Sequence, residues 1–542
     1  MRGFRVTMSS AVCAAVLGVA LLLAPPMGPD LSAQVARADF FAAHGPALVD
    51  LRWYGGIHPF GYSLVSPPVM ALLGVRVTGA LALLVAATAF SLLLVRTRVP
   101  RPLLGSLVGV VCIAGNLVSG RVTYALGVAF GLLALLALVP PTEITRPNRQ
   151  VRAGLAVLAA LLASATSPVA GLFVGLAGAA LLISRRYADG LLLGISAAVP
   201  LGATALLFGE GGWMNISRTD TVHAVVTSLL VAALTGYRPV RVGALLSAAG
   251  VLTAALVHTP VGLNATRLVV MFALPVLAAT ARSPRWPAAL RTGRHLPRAA
   301  GVGALAGLLG LVCWWQPPVV VADLHGAGHP TSDRAFFEPL RTELDRRGLT
   351  GRVEVPPTRD YWEAAHLSDV LLARGWLRQA DIDRNPLFFT TVPGAVGTGV
   401  PLTAEGYRRW LGENAVQYVA VPDTELSWVG RAEAALVEGG LPYLTEVWSD
   451  ARWRLFAVTD PAPLVGAPAD LLDLSATTVV FRACSAGEVP VRIRYSPWLS
   501  VTGGATAAPD GGWTTVTVPR PGLYQVGTPR PLTPAMRSTT CH

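Results

Sequence analysis

Three aspartates and a set of arginines are the residues here whose types and spacing can do chemistry. Asp30, Asp39 and Asp50 lie in one stretch, Pro29–Pro68, PDLSAQVARADFFAAHGPALVDLRWYGGIHPFGYSLVSPP, together with Gln34, Arg37, Trp53, Tyr54 and His58. A carboxylate can accept the proton of a poor nucleophile such as a hydroxyl in the transition state. A guanidinium can hold phosphate oxygens through two parallel N–H bonds. If residues 30–41 form a helix, Asp30, Gln34 and Arg37 share one face by i, i+4, i+7 spacing. Asp30 is the first choice for a base. Pro-Asp before a helical run is equally an N-cap signal, so base and cap stand as alternatives. Asp50 is the reserve base, and its spacing from Arg52 also reads as a surface ion pair.

Outside this stretch, Arg121, Arg218 and Arg267 sit at the ends of apolar segments, with Asn116, Asp220 and Asn264 close by. Arginine there either meets a phosphate or snorkels to lipid headgroups. His58 reads first as a turn residue. Asp323, His325 and His329 form only a weak metal set, and a divalent metal stands as the open cofactor alternative. HExxH, P-loop, GxSxG and CxxC patterns are absent. Trp53 and Tyr54 suit either an aromatic belt at the membrane interface or stacking on a sugar. Two aromatic and charged strings, Arg359–Glu363 and Arg374–Gln379, suit carbohydrate binding or an ordinary packed surface.

The elements that must position these residues are mostly apolar helices. Hydrophobic residues make up 53% of the 542, charged residues 14%, and the mean hydropathy is +0.53. Soluble domains carry about 25% charged residues, so much of this chain belongs in a bilayer. Apolar segments fall at 7–27, 75–95, 103–119, 122–140, 151–165, 168–184, 190–208, 222–236, 242–258, 267–281 and 299–315. The predicted fold class is therefore a polytopic α-helical membrane protein with about 11 transmembrane helices. The first segment reads as an uncleaved helix rather than a signal peptide. The Pro29–Pro68 stretch forms a large first outer loop, 28–68, within a membrane domain 1–316.

The net charge of +12 is carried by arginine alone, since the chain has no lysine. With the Ala, Gly and Pro richness this suggests a GC-rich genome such as an actinobacterial one. The arginines are scattered over alternate short loops and form no stripe, which excludes nucleic acid as a partner and follows the positive-inside pattern. That pattern puts the N-terminus in the cytoplasm, and an odd span count puts the C-terminal part outside. After Pro317 the composition turns polar. Residues 317–460 read as a small α/β domain, and 461–542 as a β-sandwich-like domain of alternating strands and Gly/Pro turns. Cys484 and Cys541 fall in this part and can form one disulfide outside the cytoplasm.

The pattern D-x3-Q-x2-R-x-D-F-F, then R-W-Y-G-G-x-H-P-x-G-Y-S, then P-P, resembles the first extracytoplasmic loop of GT-C-type glycosyltransferases. The nearest likeness is to the bacterial branch of membrane proteins related by name to 6-pyruvoyl-tetrahydropterin synthase. There, Asp-Leu-Pro-x-His opens an amphipathic helix; Asp30-Leu31 fits, while Gln34 replaces the histidine. Gly61-Tyr62 and Pro67-Pro68 fit the end of the pattern. The strings EVPPTRDYWEAAHL, ARGWLRQ and ARWRLFAV resemble actinobacterial membrane proteins of the same kind.

This resemblance implies a GT-C-like membrane domain and an inverting glycosyltransferase, a hexosyl- or pentosyltransferase in the plasma membrane. Its donor would be a polyprenyl-phosphate sugar, and its acceptor an envelope glycan, lipid or protein. Asp30 or Asp50 would be catalytic. Arg37, Arg121, Arg218 and Arg267 would meet the donor phosphate, and Gln34, Trp53, Tyr54 and His58 the substrate. Competing readings are a transporter or flippase of envelope lipids and a non-enzymatic assembly factor. The transporter reading is weakened by the lack of an internal repeat and of mid-span charge.

Overall fold

A computed structural model describes residues 2–140, 148–282, 298–529 and 531. Arg146, the arginines between Arg282 and Arg298, and Cys541 lie outside these residues.

Each of the eleven apolar segments coincides with a helix: α1 Arg2–Leu23, α5 Val75–Arg96, α6 Pro102–Val118, α7 Val122–Leu138, α8 Arg149–Thr166, α9 Pro168–Ile183, α10 Tyr187–Phe208, α11 Arg218–Leu234, α12 Arg238–Leu256, α13 Arg267–Thr280 and α14 Arg298–Trp315. Five stretches are long and apolar enough to cross a membrane: Gly3–Leu23, Val75–Arg96, Tyr187–Phe208, Arg238–Leu256 and Gly262–Thr280. Four further apolar helices are shorter. The chain is thus a multi-pass membrane protein. Proline at the first turns of α6, α9 and α12 starts those helices without losing a needed N–H. Small residues let them pack closely: a Cβ on Gly105 would lie 2.5 Å from Ala279, and one on Gly178 would lie 2.8 Å from the backbone of Gly194.

Between α1 and α5 the loop folds into α2 Leu31–His44, α3 Pro59–Tyr62 and α4 Ser66–Leu73. Beyond α14 come α15 Val321–His325, α16 Glu338–Arg347, β1 Arg352–Glu354, α17 Glu363–His366, α18 Arg378–Arg384, α19 Ala404–Glu413, β2 Val416–Pro422, α20 Trp428–Glu438, β3 Leu444–Ser449 and β4 Trp453–Val458. Their sheet runs β1-β2-β4-β3, with β1 parallel to β2 and the other pairs antiparallel. Two short 3-10 turns, Pro330–Ser332 and Arg334–Phe336, precede α16.

The last part forms two antiparallel sheets. One has the order β7-β10-β9, from Gly487–Val491, Trp513–Val518 and Thr506–Asp510. The other has the order β5-β6-β11-β8, from Ala469–Leu474, Thr478–Ala483, Gly522–Gly527 and Ser500–Val501. Val479, Phe481, Val489, Val516 and Val526 build the core between them. Cys484 is disulfide-bonded, while Cys13, Cys112 and Cys313 are free.

The first loop is more than a connection between two membrane helices. Trp53, Tyr54, Ile57 and Ala36 share one core with Phe337, Val353, Trp362 and Trp453 of the C-terminal portion. Val49 and Leu51 join the core of the two sheets. Burying an apolar side chain is worth about 1.5–3 kcal/mol, so this shared core ties the loop to residues 280 or more positions away.

Candidate functional site

A cavity of about 710 Å³ lies where the loop, the helix bundle and the C-terminal portion meet, within the ~300–1,000 Å³ of typical ligand sites. Asp30, Arg121 and Arg267 stand together on its wall. The Nε of Arg121 donates to Oδ2 of Asp30 at 3.2 Å, and an Arg267 guanidinium nitrogen reaches the same oxygen at 3.5 Å. The Asp30 side chain is 13% exposed.

Asp30 occupies the N-cap position of α2, yet its side chain accepts no bond from that helix. The carboxylate turns toward arginines of α6–α7 and α13 instead. Two glycines make this approach feasible. Gly28 has φ +86° and a Cβ there would fall 2.4 Å from the Val118 carbonyl oxygen; Gly120 has φ +77° and its Cβ would fall 2.3 Å from the Leu31 nitrogen. The start of the loop therefore crosses the α6–α7 turn backbone on backbone, and the Asp30 amide donates to the Ser119 carbonyl at 3.2 Å. Asn116 fixes the same turn by donating to the Arg121 carbonyl.

Arg37 projects into the cavity wall from α2 and is 5% exposed. Its guanidinium lies 3.7 Å above the Tyr62 ring, 5.1 Å from Trp376 and 5.6 Å from Trp53. Both terminal nitrogens are buried without a hydrogen-bond partner. Burial lowers its pKa from the ordinary arginine value. Cation–π contact recovers about 0.5–2 kcal/mol, less than the several kcal/mol that desolvating a charge costs. The Tyr124 hydroxyl and the Gln316 amide oxygen, also on the cavity wall, are buried without partners as well.

The C-terminal portion closes the cavity with Tyr361, Trp376, Arg378 and Gln379. The Trp376 indole donates to the Pro29 carbonyl at 2.7 Å, and the Ser32 hydroxyl donates to the Asp360 carbonyl at 2.7 Å. The turn carrying Trp376 and Arg378 is clasped from behind by Arg374, which donates to the buried Asp381 and Glu433. Near the rim, Ser119 donates to Asp323. Burial raises the Asp323 pKa, with the Ser119 bond and Arg121 opposing that shift. Burial pushes Asp360 up to about 6.

Several expected site residues stand elsewhere. Asp50 is buried and does not line the cavity; both its oxygens are held by Arg52, which also donates to the Ala36 carbonyl. The ion pair expected on a surface is thus an interior brace. Trp53 and Tyr54 are 1% exposed and belong to the shared core, so neither offers a face to a sugar. Tyr54 donates to the Gly375 carbonyl. Gln34 is fully buried between the Tyr62 and Thr123 hydroxyls. Arg218 is exposed and outside the cavity wall, because α11 turns it away while Asp220 and His223 face in.

His58 does line the cavity, with each ring nitrogen close to one partner. Nδ1 is 3.0 Å from Glu210, and Nε2 is 2.8 Å from the Ser496 hydroxyl. Glu210 also binds Arg384 and the His58 amide. Burial raises the Glu210 pKa, but the His58 and Arg384 contacts outweigh it and the net shift is downward. Among the described residues no group of three or more His, Cys, Asp or Glu side chains is arranged to hold a metal.

Trp376 belongs to the Arg374–Gln379 string that the sequence offers for carbohydrate binding, whereas Tyr62, Tyr124 and Gln316 are not among the expected site residues. Tyr62 carries a signal as part of the Gly-Tyr turn, and Tyr124 reads as a span residue.

Neither a protein-family model nor a curated protein matches the chain. Among solved structures it is similar to the arabinofuranosyltransferase AftD from mycobacteria, at 16% identity and a TM-score of 0.45, over 89% of this chain and 41% of that one. A mutant of AftD gives 16% identity and a TM-score of 0.46, over 84% of this chain and 42% of that one. ArnT from Cupriavidus metallidurans in the apo state gives 13% identity and a TM-score of 0.45, over 82% of this chain and 96% of that one. The chain thus spans less than half the length of AftD and nearly all of ArnT. At these TM-scores the likenesses assign neither residue roles nor substrates.

Proposed function

We propose that the chain is an inverting membrane glycosyltransferase of the GT-C type, moving a sugar from a polyprenyl-phosphate donor to a cell-envelope acceptor at the extracytoplasmic membrane face. The observation that carries this is the Asp30 carboxylate, held on the cavity wall by Arg121 and Arg267 and left free of its own helix end.

In this reading Asp30 accepts the proton of the acceptor hydroxyl as that oxygen attacks the anomeric carbon. The new C–O bond forms on the face opposite the donor oxygen. The old bond breaks with its electron pair going to the lipid phosphate. Arg121 and Arg267 orient the carboxylate and meet the charge that develops on the leaving phosphate. The Gly28–Gly120 crossing presets these groups, so little reorganisation is needed during reaction.

Two further observations support a lipid donor and the orientation. An apolar cavity of about 470 Å³ runs inside the bundle and shares the Tyr124 wall with the site, offering room for a hydrocarbon chain. The arginine-rich turns gather away from the site: Arg101 donates to Ala278 and Ala281, Arg238 to Ile183, and Arg282 to Leu234. Arginine on that face agrees with a cytoplasmic side opposite the cavity.

The test is Asp30→Asn in the purified protein, supplied with envelope extract as acceptor and radiolabelled polyprenyl-phosphate sugars as donor. Transfer is expected to fall by about 10²–10⁴-fold, the range for losing a general base, while membrane insertion and thermal unfolding stay as in the parent. Transfer at the parental rate in this variant removes Asp30 as the base.

A further inference from the structure

The cavity has two separate cationic regions, and the proposed reaction uses only one. Arg121 and Arg267 come from the membrane helices and sit on Asp30. Arg37 lies seven residues further along α2, a rise of about 10.5 Å at 1.5 Å per residue. It is caged by Tyr62 of the loop and Trp376 of the C-terminal portion. On the same wall, Arg378 lies 5.5 Å from the Trp428 ring.

Arg37 is the telling residue. Its side chain is buried, it lines the cavity, and neither terminal nitrogen has a hydrogen-bond partner. The ring stack fixes the plane of the guanidinium and leaves its edge to bond something else. Planar forks of this kind suit carboxylate and phosphate oxygens. The aromatic rings around it, Tyr62 and Trp376, meet edge to face at 6.1 Å and 88°, which keeps the cage rigid before any ligand arrives.

We infer that the outer half of this cavity binds an oxyanion carried by the acceptor, so that the acceptor is an anionic glycan or glycolipid bearing a carboxylate or phosphate near its reacting hydroxyl. The wall that holds Arg37 is built by the loop and the C-terminal portion, the side from which an acceptor enters in the glycosyltransferase reading on which this inference rests. Arg37 would thus select and position the acceptor, while Arg121 and Arg267 serve the donor phosphate.

Binding is measured on the full chain in lipid nanodiscs with four probes: methyl β-glucuronide, glucose 6-phosphate, neutral methyl β-glucoside and decaprenyl phosphate. At least one anionic sugar is expected to bind about tenfold or more tightly than the neutral one, through the charged, bidentate contact. Which anionic sugar binds better separates a carboxylate source from a phosphate source. Arg37→Met, whose side chain still fills the aromatic cage, is expected to erase the preference. If that variant does not fold, Arg37→Lys keeps the cation but loses the fork, and should cut the preference by about threefold or more. Decaprenyl phosphate is expected to bind together with the anionic sugar.

Equal binding of neutral and anionic sugars overturns the inference. So does a preference unchanged in the Arg37 variants, or competitive displacement by decaprenyl phosphate, which would move Arg37 to the donor. Because no turnover is read, these outcomes are separate from the base assignment: transfer surviving in Asp30→Asn would sink that assignment and leave the anion preference standing.

Discussion

Two aspartates twenty residues apart in one loop have opposite fates, and the difference lies in what surrounds their oxygens. Asp30 shares one carboxylate oxygen with two arginines and faces the cavity. Asp50 gives both oxygens to Arg52 in the interior. Removing one partner of a buried pair leaves the other uncompensated, at a cost of about 3–5 kcal/mol. Asp50→Asn is therefore expected to lower the thermal stability of the purified protein while the molecules that remain folded keep their transfer activity. Unfolding in detergent and activity per folded molecule read the two effects separately. Normal stability with lost transfer would return Asp50 to the role of base. Asp30 lines the cavity and Asp50 does not, and although Asp30 stands at the N-cap position of α2 its side chain makes no capping bond. Trp53 and Tyr54 are misread from type alone. Their types suit a sugar platform, and only their neighbours reveal that they are core.

At the scale of elements, the site depends on where the start of the loop crosses the α6–α7 turn. Gly28 and Gly120 are both left-handed, and each lies too close to the other segment's backbone for a Cβ. Gly120→Ala combines about 1–2 kcal/mol of left-handed strain with a collision at Leu31. The separation of Asp30 and Arg121 should then grow, and a 1 Å misplacement can cost about 10²-fold in rate. The expected result is a loss of transfer well beyond the loss of stability, measured by kcat beside the unfolding midpoint. A variant with lowered midpoint and unaltered kcat would show that the crossing is structural only. Either glycine is visible in the sequence as a turn residue. Their meeting is not, because it joins positions 92 residues apart through a close approach that leaves no periodic mark.

At the scale of the whole molecule, the loop, the bundle and the C-terminal portion share cores, and ionisation in that junction should be felt throughout. Glu363 in α17 is 3% exposed and accepts from the Thr358 hydroxyl and amide. Burial raises its pKa from 4.5 to about 7, with the Thr358 bonds opposing. The folded state therefore holds a proton that the unfolded state has already lost above pH 4.5. Stability should fall as pH rises through that interval and level off above 7, by up to about 3 kcal/mol at 1.36 kcal/mol per pKa unit. Thermal unfolding between pH 5 and 8 is expected to show this fall, and Glu363→Gln to flatten it; a variant with the parental slope would assign the effect to other groups. What the sequence determined by itself was the membrane character, the positions of the apolar helices and the polar stretch that holds Asp30, because hydropathy and local turn signals are properties of neighbouring residues. The tertiary structure alone decided which polar groups face the cavity. Arg37 and Arg218 are both arginines near apolar segments, yet one is caged in the wall and the other is exposed outside it. That choice rests on contacts between segments hundreds of residues apart, whose geometry no local pattern encodes.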